Sequence, residues 1–492
     1  MPTALSASLF ATDFKANALQ AAPALVPKPH RVGLLGLGTV GSGTFSVLER
    51  NQALIAARAG RSIQITMVAV RDTARAARIV GQGMVLSTVP NRVQPRVSAT
   101  QARTGQSVLL VNDPFAVVNH PDIDVVVEAI GGTTLAKALV LQAIAQGKHV
   151  VTANKALLAE HGDEVFAAAR ARGVIVAYEG AVAVSIPIIK ALREGLSANR
   201  IEWVAGIVNG TSNFILSAMR DEGQGFDAAL ASAQAQGFAE ADPAFDVEGI
   251  DAAHKLALLA SNAFGVKVPF DQIYIEGITA LTPQDMACAK ALGYVIKLLA
   301  IAKQADGGVE LRVHPVLLPQ AHMLAQVNTS MNAVMVKGDA SGVTMYYGAG
   351  AGSEQTGSAV IADLVDVARA QNLPPHQRVP ALGFEPRAMR SAPGKPMVNV
   401  QSRHCLRIRL PLTSAAQPAQ LLTRLTDTLT RHGVAIEHSE VFDLTDTPDR
   451  HPIAVLLTQA APDGLLRKAL ADWDHCTHAA YPVRVLRVGF EH

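Results

Sequence analysis

Cysteine is scarce: Cys288, Cys405 and Cys476 are the only three in 492 residues. They are odd in number and widely scattered, which argues against a disulfide framework, and none has the spacing of a zinc site. A reducing, cytoplasmic setting is therefore expected. Aromatic residues make up 4% of the chain, so the core must be aliphatic. Neither sign of charge dominates; the formal net charge is +2, with acidic and basic residues interleaved. That balance offers no footing for nucleic acid or an anionic membrane surface. No unbroken run of about 18 apolar residues occurs, which argues against a membrane span. The opening MPTALSASLFATDFKANALQ has neither the basic start nor the apolar core of a secretory signal. Residues 1–29, ending in APALVPKPH, read as a mobile tail. What is present is ample apolar material, 49%, in a chain long enough for about three domains of ~150 residues.

The most informative stretch is GFAEADPAFDVEGIDAAHK, residues 237–255, which gathers Glu240, Asp242, Asp246, Glu248 and Asp251 ahead of Lys255. Gly237, Pro243 and Gly249 make its first part a loop, and the apolar spacing of DAAHKLALLASNAFG makes the rest a helix. Asp251 and Lys255 stand four apart and share a helix face. A cation among carboxylates at a loop-to-helix corner suits a small polar substrate and a proton transfer. Blander readings are a helix cap at Asp251 or a surface salt bridge. A calcium loop is a third, but the alternation with a central glycine and a twelfth-position glutamate is missing.

RVGLLGLGTVGSG, from Arg31, is a buried strand entering Gly36, Gly38 and Gly41 at GxGxxG spacing, followed by a helix and a second strand, IQITMVAVRD. In that context Gly36 makes the tight turn, Gly38 admits a pyrophosphate to the helix N-terminus, and Gly41 lets helix and strand pack closely. The second strand ends in Arg71-Asp72; an arginine there can hold a 2′-phosphate, so NADP is at least accepted, with NAD as the alternative. DIDVVVEAIGG (122–132) and KHVVTANK (148–155) are further buried strands whose ends direct Thr133 and Lys155 at the crevice. IEWVAGIVNGTSNFIL (201–216) reaches an Asn-Gly turn. YYGAGAGSEQTG, with Gly348, Gly350 and Gly352, is a second glycine-rich entry to a helix and a close-approach site for phosphate or nicotinamide. MACAKALGYVIKLLAIAKQ, VELRVHPVLLP and the stretch around 327–337 alternate helical and strand character.

The strings GLGTVG, DIDVVVEAIGG, VTANK, YEGAVAVSIPII, NGTSNFIL, GFAEADPAFDVEGIDAAHK and YYGAGAG occur in one order over residues 31 to about 385. In that set the chain resembles the homoserine dehydrogenases, which interconvert aspartate semialdehyde and homoserine with a nicotinamide cofactor. The resemblance implies that Lys255 is the proton donor and Asp251 its supporting carboxylate. It implies that Glu240 and Asp246 hold the ammonium and hydroxyl ends of the substrate, and that Gly210 and Thr211 bind it through the backbone. Lys155 would lie between cofactor and substrate, and Thr39, Val40, Arg71 and Gly350 would contact the cofactor. Glu179, Val182, Val184 and Ile186 match a loop that binds a sodium ion through carbonyl oxygens. That loop is GAVAVS here, where relatives often carry more glycine.

The implied fold is α/β. A Rossmann-type NAD(P)-binding domain spans 30–175 and is completed by a helical return at 346–385; an α+β catalytic and dimerisation domain spans 176–345. Residues 386–402, rich in Pro, Gly and charge, read as a linker. Residues 403–490 follow strand, helix, strand, strand, helix, strand, a ferredoxin-like order resembling an ACT domain. The turn before its first helix, TSAAQPAQ, lacks the usual glycine, which removes the closest backbone approach for an amino-acid effector. No kinase-like segment precedes Arg31, so a monofunctional enzyme is expected, working on a small molecule as a homodimer or homotetramer. The rivals are another dehydrogenase on the same plan, with no reason to carry GFAEADPAFDVEGID, and a non-catalytic nucleotide and amino-acid sensor, which has no use for Lys155 and Lys255.

Overall fold

The computed structural model describes residues 28–81, 84–85, 98–101, 107–410, 416–442, 452–477 and 480–489. The expected tail therefore lies, up to residue 27, outside the described residues. No described helix is long and apolar enough to cross a membrane.

The first sheet is built from short aliphatic runs buried on both faces, the signature of parallel strands covered by helices. His30–Leu35 lies at its centre, parallel to Ile63–Ala69 on one side and to Val125–Glu128 on the other. His149–Thr152 and Val176–Ala177 continue one wing, and Ser107–Val111 the other. Ser98–Gln101 and Met84–Val85 add an antiparallel edge. Strand order reverses between His30–Leu35 and Val125–Glu128, and the crevice at such a switch is where an α/β sheet binds ligands. The two strand ends meet there: Gly36, at φ 94°, has no room for a Cβ, which would lie 2.8 Å from the Ala129 carbonyl oxygen.

The helix Ser353–Ala370 returns from the second domain onto the helix Thr39–Arg50. Glycine permits the contact: a Cβ on Gly43 would sit 2.0 Å from the Ser353 carbonyl oxygen, and one on Gly357 would sit 2.6 Å from the Gly43 backbone. Ser353 Oγ donates to the Thr39 carbonyl at 2.6 Å, and Arg50 grips Glu354 through two 2.8 Å bonds.

The second sheet runs Gly342–Ala349, Met331–Gly338, Ile201–Ile207, Tyr294–Ala305 and Gly308–Pro319. The stretch beginning MACAKALGYVIKLLA divides at Gly293 (φ 78°) into the helix Pro283–Ala291 and the strand Tyr294–Ala305. The sheet does not stop at the domain edge. Gly308–Pro319 pairs in parallel with Val483–Val488, placing Val316 beside Arg487, and Gln401–Arg409, Ile453–Thr458 and Ile436–Phe442 follow. With the helices Ala416–Arg431 and Asp463–Thr477, these form a βαββαβ unit fused to the central sheet.

The reading of 386–402 as a linker is corrected here. Arg390–Ser391 pairs with Val266–Lys267, Gly394 bridges to Val309, Lys395 pairs with Glu310 at 3.2 Å, and the next strand already starts at Gln401. Proline and glycine interrupt regular elements but leave the remaining amides and carbonyls free to pair with neighbouring edges. At the seam Arg487 binds Glu276 at 2.7 Å and Asp463 at 3.0 Å, and Arg407 binds Asp285 at 2.8 Å. Residues 413–415 of TSAAQPAQ lie outside the described residues.

Candidate active site

The acidic stretch folds as loop, one helical turn (Ala244–Val247), and the helix Ile250–Phe264. Gly249, at φ 86°, turns the chain into that helix, so Asp251 falls in its first turn and Lys255 one turn later. The helix is buried on nearly every side, which makes its charged residues costly unless paired. They are paired. The Asp251 carboxylate receives the Lys255 ammonium on one oxygen at 2.7 Å and the Lys155 ammonium on the other at 2.9 Å. The surface-salt-bridge reading therefore fails for Asp251 and Lys255, whose side chains are 5% and 8% exposed. Lys155 is more open, at 28%, and its ammonium lies 5.6 Å from the centre of the Phe245 ring.

Asn209 organises the other half of the cluster. It caps the helix Gly210–Asp221, accepting the Ser212 amide at 2.8 Å. Its Nδ2 donates to Asp246 at 2.7 Å and to Asp251 at 2.8 Å. Ser212 Oγ donates to the Asp246 carbonyl, and the Lys255 ammonium also donates to the Val208 carbonyl at 2.6 Å. The N-terminus of this helix, with Gly210 and Thr211, thus opens beside Asp246, Asp251 and Lys255. Thr211 Oγ1 ties the loop by donating to Phe238 O at 2.7 Å. The Asn-Gly turn of the sequence supplies Asn209, and an asparagine just ahead of an apolar helical run is an N-cap signal that points to its place.

Charge follows from this packing. Burial lowers the Lys255 ammonium most and Lys155 adds to that, against the opposing pull of Asp251 and Asp246, so Lys255 titrates below the ordinary lysine value. Burial raises Asp251, yet the two lysines and the hydrogen bonds outweigh it and hold the carboxyl well below the usual range. Burial, and then the charge of Asp251, raise Asp246. Glu240 is exposed on the loop, and the structure does not bring its carboxylate into this cluster.

Across the crevice, the helix Thr39–Arg50 begins at Gly38 with no side-chain cap and no acid in its first turn. A Cβ on Gly38 would meet nothing within 4 Å, whereas one on Gly41 would lie 2.1 Å from the Gly36 carbonyl oxygen. Uncapped amides facing open space, at Gly38, Thr39 and Val40, fit a dinucleotide pyrophosphate. Thr133 is half-buried beside the Gly131-Gly132 turn. That turn is fixed by Glu128, whose carboxylate accepts the Ile130 and Gly131 amides at 2.9 Å and Thr152 Oγ1 at 2.6 Å. Asn154 caps the helix Lys155–Arg172 and also donates to Gly132 O at 2.7 Å, so the crevice turn and Lys155 are held together. No local pattern in the sequence marks Glu128, Thr152 and Asn154 for these roles, which depend on pairing between separate strands. Arg71 is exposed at the end of its strand, and Asp72 caps the next helix by accepting the Arg75 amide at 2.9 Å.

Gly348 lies inside the strand Gly342–Ala349 rather than in the turn, so it is not a helix-terminus phosphate site. A Cβ there would meet Ser185 Oγ at 2.5 Å, and one on Gly350 would meet Asn332 Oδ1 at 2.3 Å. The loop through Glu179, Val182, Val184 and Ile186 takes a glycine-like path at two positions that are not glycine, Ala183 at φ 53° and Val184 at φ 51°. For a β-branched residue that conformation is strained. The Glu179 carboxylate accepts the Ile189 and Lys190 amides at 2.9 Å. Any cation at the loop would therefore fall to main-chain carbonyls. Those of Val182 and Val184 accept no hydrogen bond among the described residues, which fits a carbonyl site.

Comparison with known proteins agrees with this geometry. Residues 36–179 match the family model for the NAD binding domain of homoserine dehydrogenase, and residues 187–365 match the model for homoserine dehydrogenase. A homoserine dehydrogenase of Pseudomonas aeruginosa is 50% identical over 461 residues, 94% of this chain and 99% of its own length. One from Neisseria gonorrhoeae is 42% identical over 464 residues, again 94% of this chain and 99% of its own. The crystal structure of a homoserine dehydrogenase from Thiobacillus denitrificans superposes with a TM-score of 0.82 at 48% identity, covering 94% of this chain and 98% of that one. Likeness of this degree over nearly the whole length, glycine crevice and acidic corner included, means that the chain belongs to the homoserine dehydrogenase family, whose members interconvert L-aspartate 4-semialdehyde and L-homoserine with a nicotinamide cofactor.

Proposed function

We propose that Lys255 is the proton-transferring group of this reaction, with Asp251 holding it in place and Lys155 standing between substrate and cofactor. The observation that carries the reading is the Asp251 carboxylate clasped between two lysine ammoniums, 2.7 and 2.9 Å away, at the mouth of a helix N-terminus. The nicotinamide, when bound, supplies the hydride for the aldehyde carbon. The developing alkoxide needs a positive charge and then a proton. An ammonium has three N–H groups, and Lys255 uses two of them, on Asp251 and Val208. The third is free to meet the substrate oxygen, stabilise its charge and donate. In homoserine oxidation the neutral amine takes the proton back. Gly210 and Thr211 bind the substrate carboxylate through backbone amides, while Asp246 holds its ammonium end.

Gly36, Gly38, Thr39, Val40 and Gly41 would cradle the pyrophosphate, and Thr133, Lys155, Gly348 and Gly350 would border the nicotinamide. NADP is the preferred form in this reading. Asp72, the acid nearest the ribose position, is engaged as a helix cap, which leaves Arg71 for a 2′-phosphate. A sodium ion would sit among the carbonyls of Glu179, Val182, Val184 and Ile186. Assembly as a homodimer or homotetramer completes the proposal, with the C-terminal unit, whose turn before the first helix lacks the usual glycine, serving as an interaction or regulatory module for which an amino-acid effector is the alternative; its fusion to the central sheet supports the former.

The test is homoserine oxidation with NADP and then NAD. Turnover is expected with both, faster with NADP. Arg71→Ala is expected to lower kcat/KM for NADP about tenfold or more, the worth of a charge-assisted hydrogen bond, and to leave NAD nearly unchanged. An equal fall for both cofactors would remove Arg71 from 2′-phosphate binding. A folded protein with no turnover on either would revive the sensor reading.

A further inference from the structure

Asn332 is fully buried, and neither its Oδ1 nor its Nδ2 has a hydrogen-bond partner among the described residues. An amide buried with both ends unmet is rare in a folded protein and calls for a physical reason. Its surroundings supply one. Asn332 is the second residue of the strand Met331–Gly338, which pairs with Gly342–Ala349, and stands directly opposite Gly348. The Gly350 backbone lies against its carboxamide so closely that a Cβ there would be 2.3 Å from Oδ1 and 2.7 Å from Nδ2. On the other side a Cβ on Gly210 would be 3.7 Å from the same Oδ1. One unpaired amide therefore sits between the helix N-terminus assigned to the substrate and the glycine turn assigned to the nicotinamide.

We propose that Asn332 is a positioning residue for the cofactor turn: when the nicotinamide end seats, the peptide groups around Gly350 come into register with the Asn332 carboxamide, which then fixes that turn relative to Gly210. This inference rests on the assignment of Gly350 to the cofactor. A carboxamide suits the task because it offers a donor and an acceptor at once, matching the N–H and C=O of a rotating peptide unit. Glycine at 350 is what allows the approach. Without cofactor the amide contributes nothing to stability and penalises the fold; with cofactor it contributes to holding the turn closed.

That asymmetry makes the proposal separable from a structural role. Asn332→Leu keeps the shape and removes both polar ends. The free variant is expected to melt at or above the wild-type temperature, since an unpaired buried amide has gone. Its Kd for NADPH, read by fluorescence titration, is expected to rise roughly tenfold, the loss of one hydrogen bond. The upward shift in Tm on adding NADPH should shrink accordingly. Asn332→Ala gives the same reading of Kd should the leucine variant not fold. A lower Tm with unchanged Kd would overturn the proposal, and so would a Kd and a cofactor-induced shift both equal to wild type. If the wild-type protein binds neither NADPH nor NADH, the cofactor reading falls and this inference with it.

Discussion

Replacing Lys255 by alanine is expected to lower kcat by about 10²–10⁴-fold, the range that a positioned acid or base contributes. The protein should stay folded, because Asp251 keeps Lys155 as a counter-charge at 2.9 Å. Cofactor affinity should also survive, since Lys255 belongs to the acidic corner and not to the glycine crevice. The pattern to look for is a collapse of turnover in both directions with NADPH binding within about twofold of wild type, a change near the noise of such a titration. Near-normal turnover would remove Lys255 from proton transfer and shift attention to Lys155, the more open of the two ammoniums.

The second large effect is expected at Asp251→Asn. Removing one partner of a buried ion pair leaves the other uncompensated, typically at a cost of about 3–5 kcal/mol. Here one substitution deprives two lysines and also disturbs the hydrogen bond that Asn209 Nδ2 donates to Asp251. Activity should fall with stability, because the same carboxylate orients Lys255. Linkage gives the pH signature. The folded-state pKa of Asp251 is depressed below its ordinary 3.8, so its stabilisation is complete above 3.8 and disappears only as pH falls through the lower folded value. The gap in Tm between wild type and variant should therefore be widest above about pH 4, given the ordinary aspartate value, and should narrow in stronger acid. A constant gap, or none, would mean that Asp251 carries no stabilising charge.

Local signals were legible. The turn through Gly36, Gly38 and Gly41 could be read because strand, turn and helix are contiguous, and the Asp251–Lys255 face because its spacing is fixed by helix geometry. Long-range polar contacts were not. Lys155 was placed near the crevice by its position after a strand, but its bond to Asp251 joins two helices that the sequence keeps far apart. Asn209 reaches two carboxylates on another segment, and nothing local announces that. The fused sheet was hidden for the same reason: the pairing of Val316 with Arg487 depends on how a whole βαββαβ unit docks. Residues 386–402 misled because composition reports where regular structure stops, not whether the backbone is tied down. Asn332 carries no pattern at all; only the glycines around it reveal its place.

The central claim, that a buried lysine of lowered pKa moves the proton, is tested most directly by the pH dependence of kcat for homoserine oxidation at saturating cofactor. Oxidation needs the neutral amine, so the rate should rise with pH through an ionisation lying below the ordinary lysine value of 10.5, since burial lowers Lys255 more than its carboxylates raise it. Reduction of the semialdehyde needs the ammonium and should fall through the same ionisation. A profile flat across that range, or a rising limb that persists unchanged in Lys255→Ala, would contradict the claim.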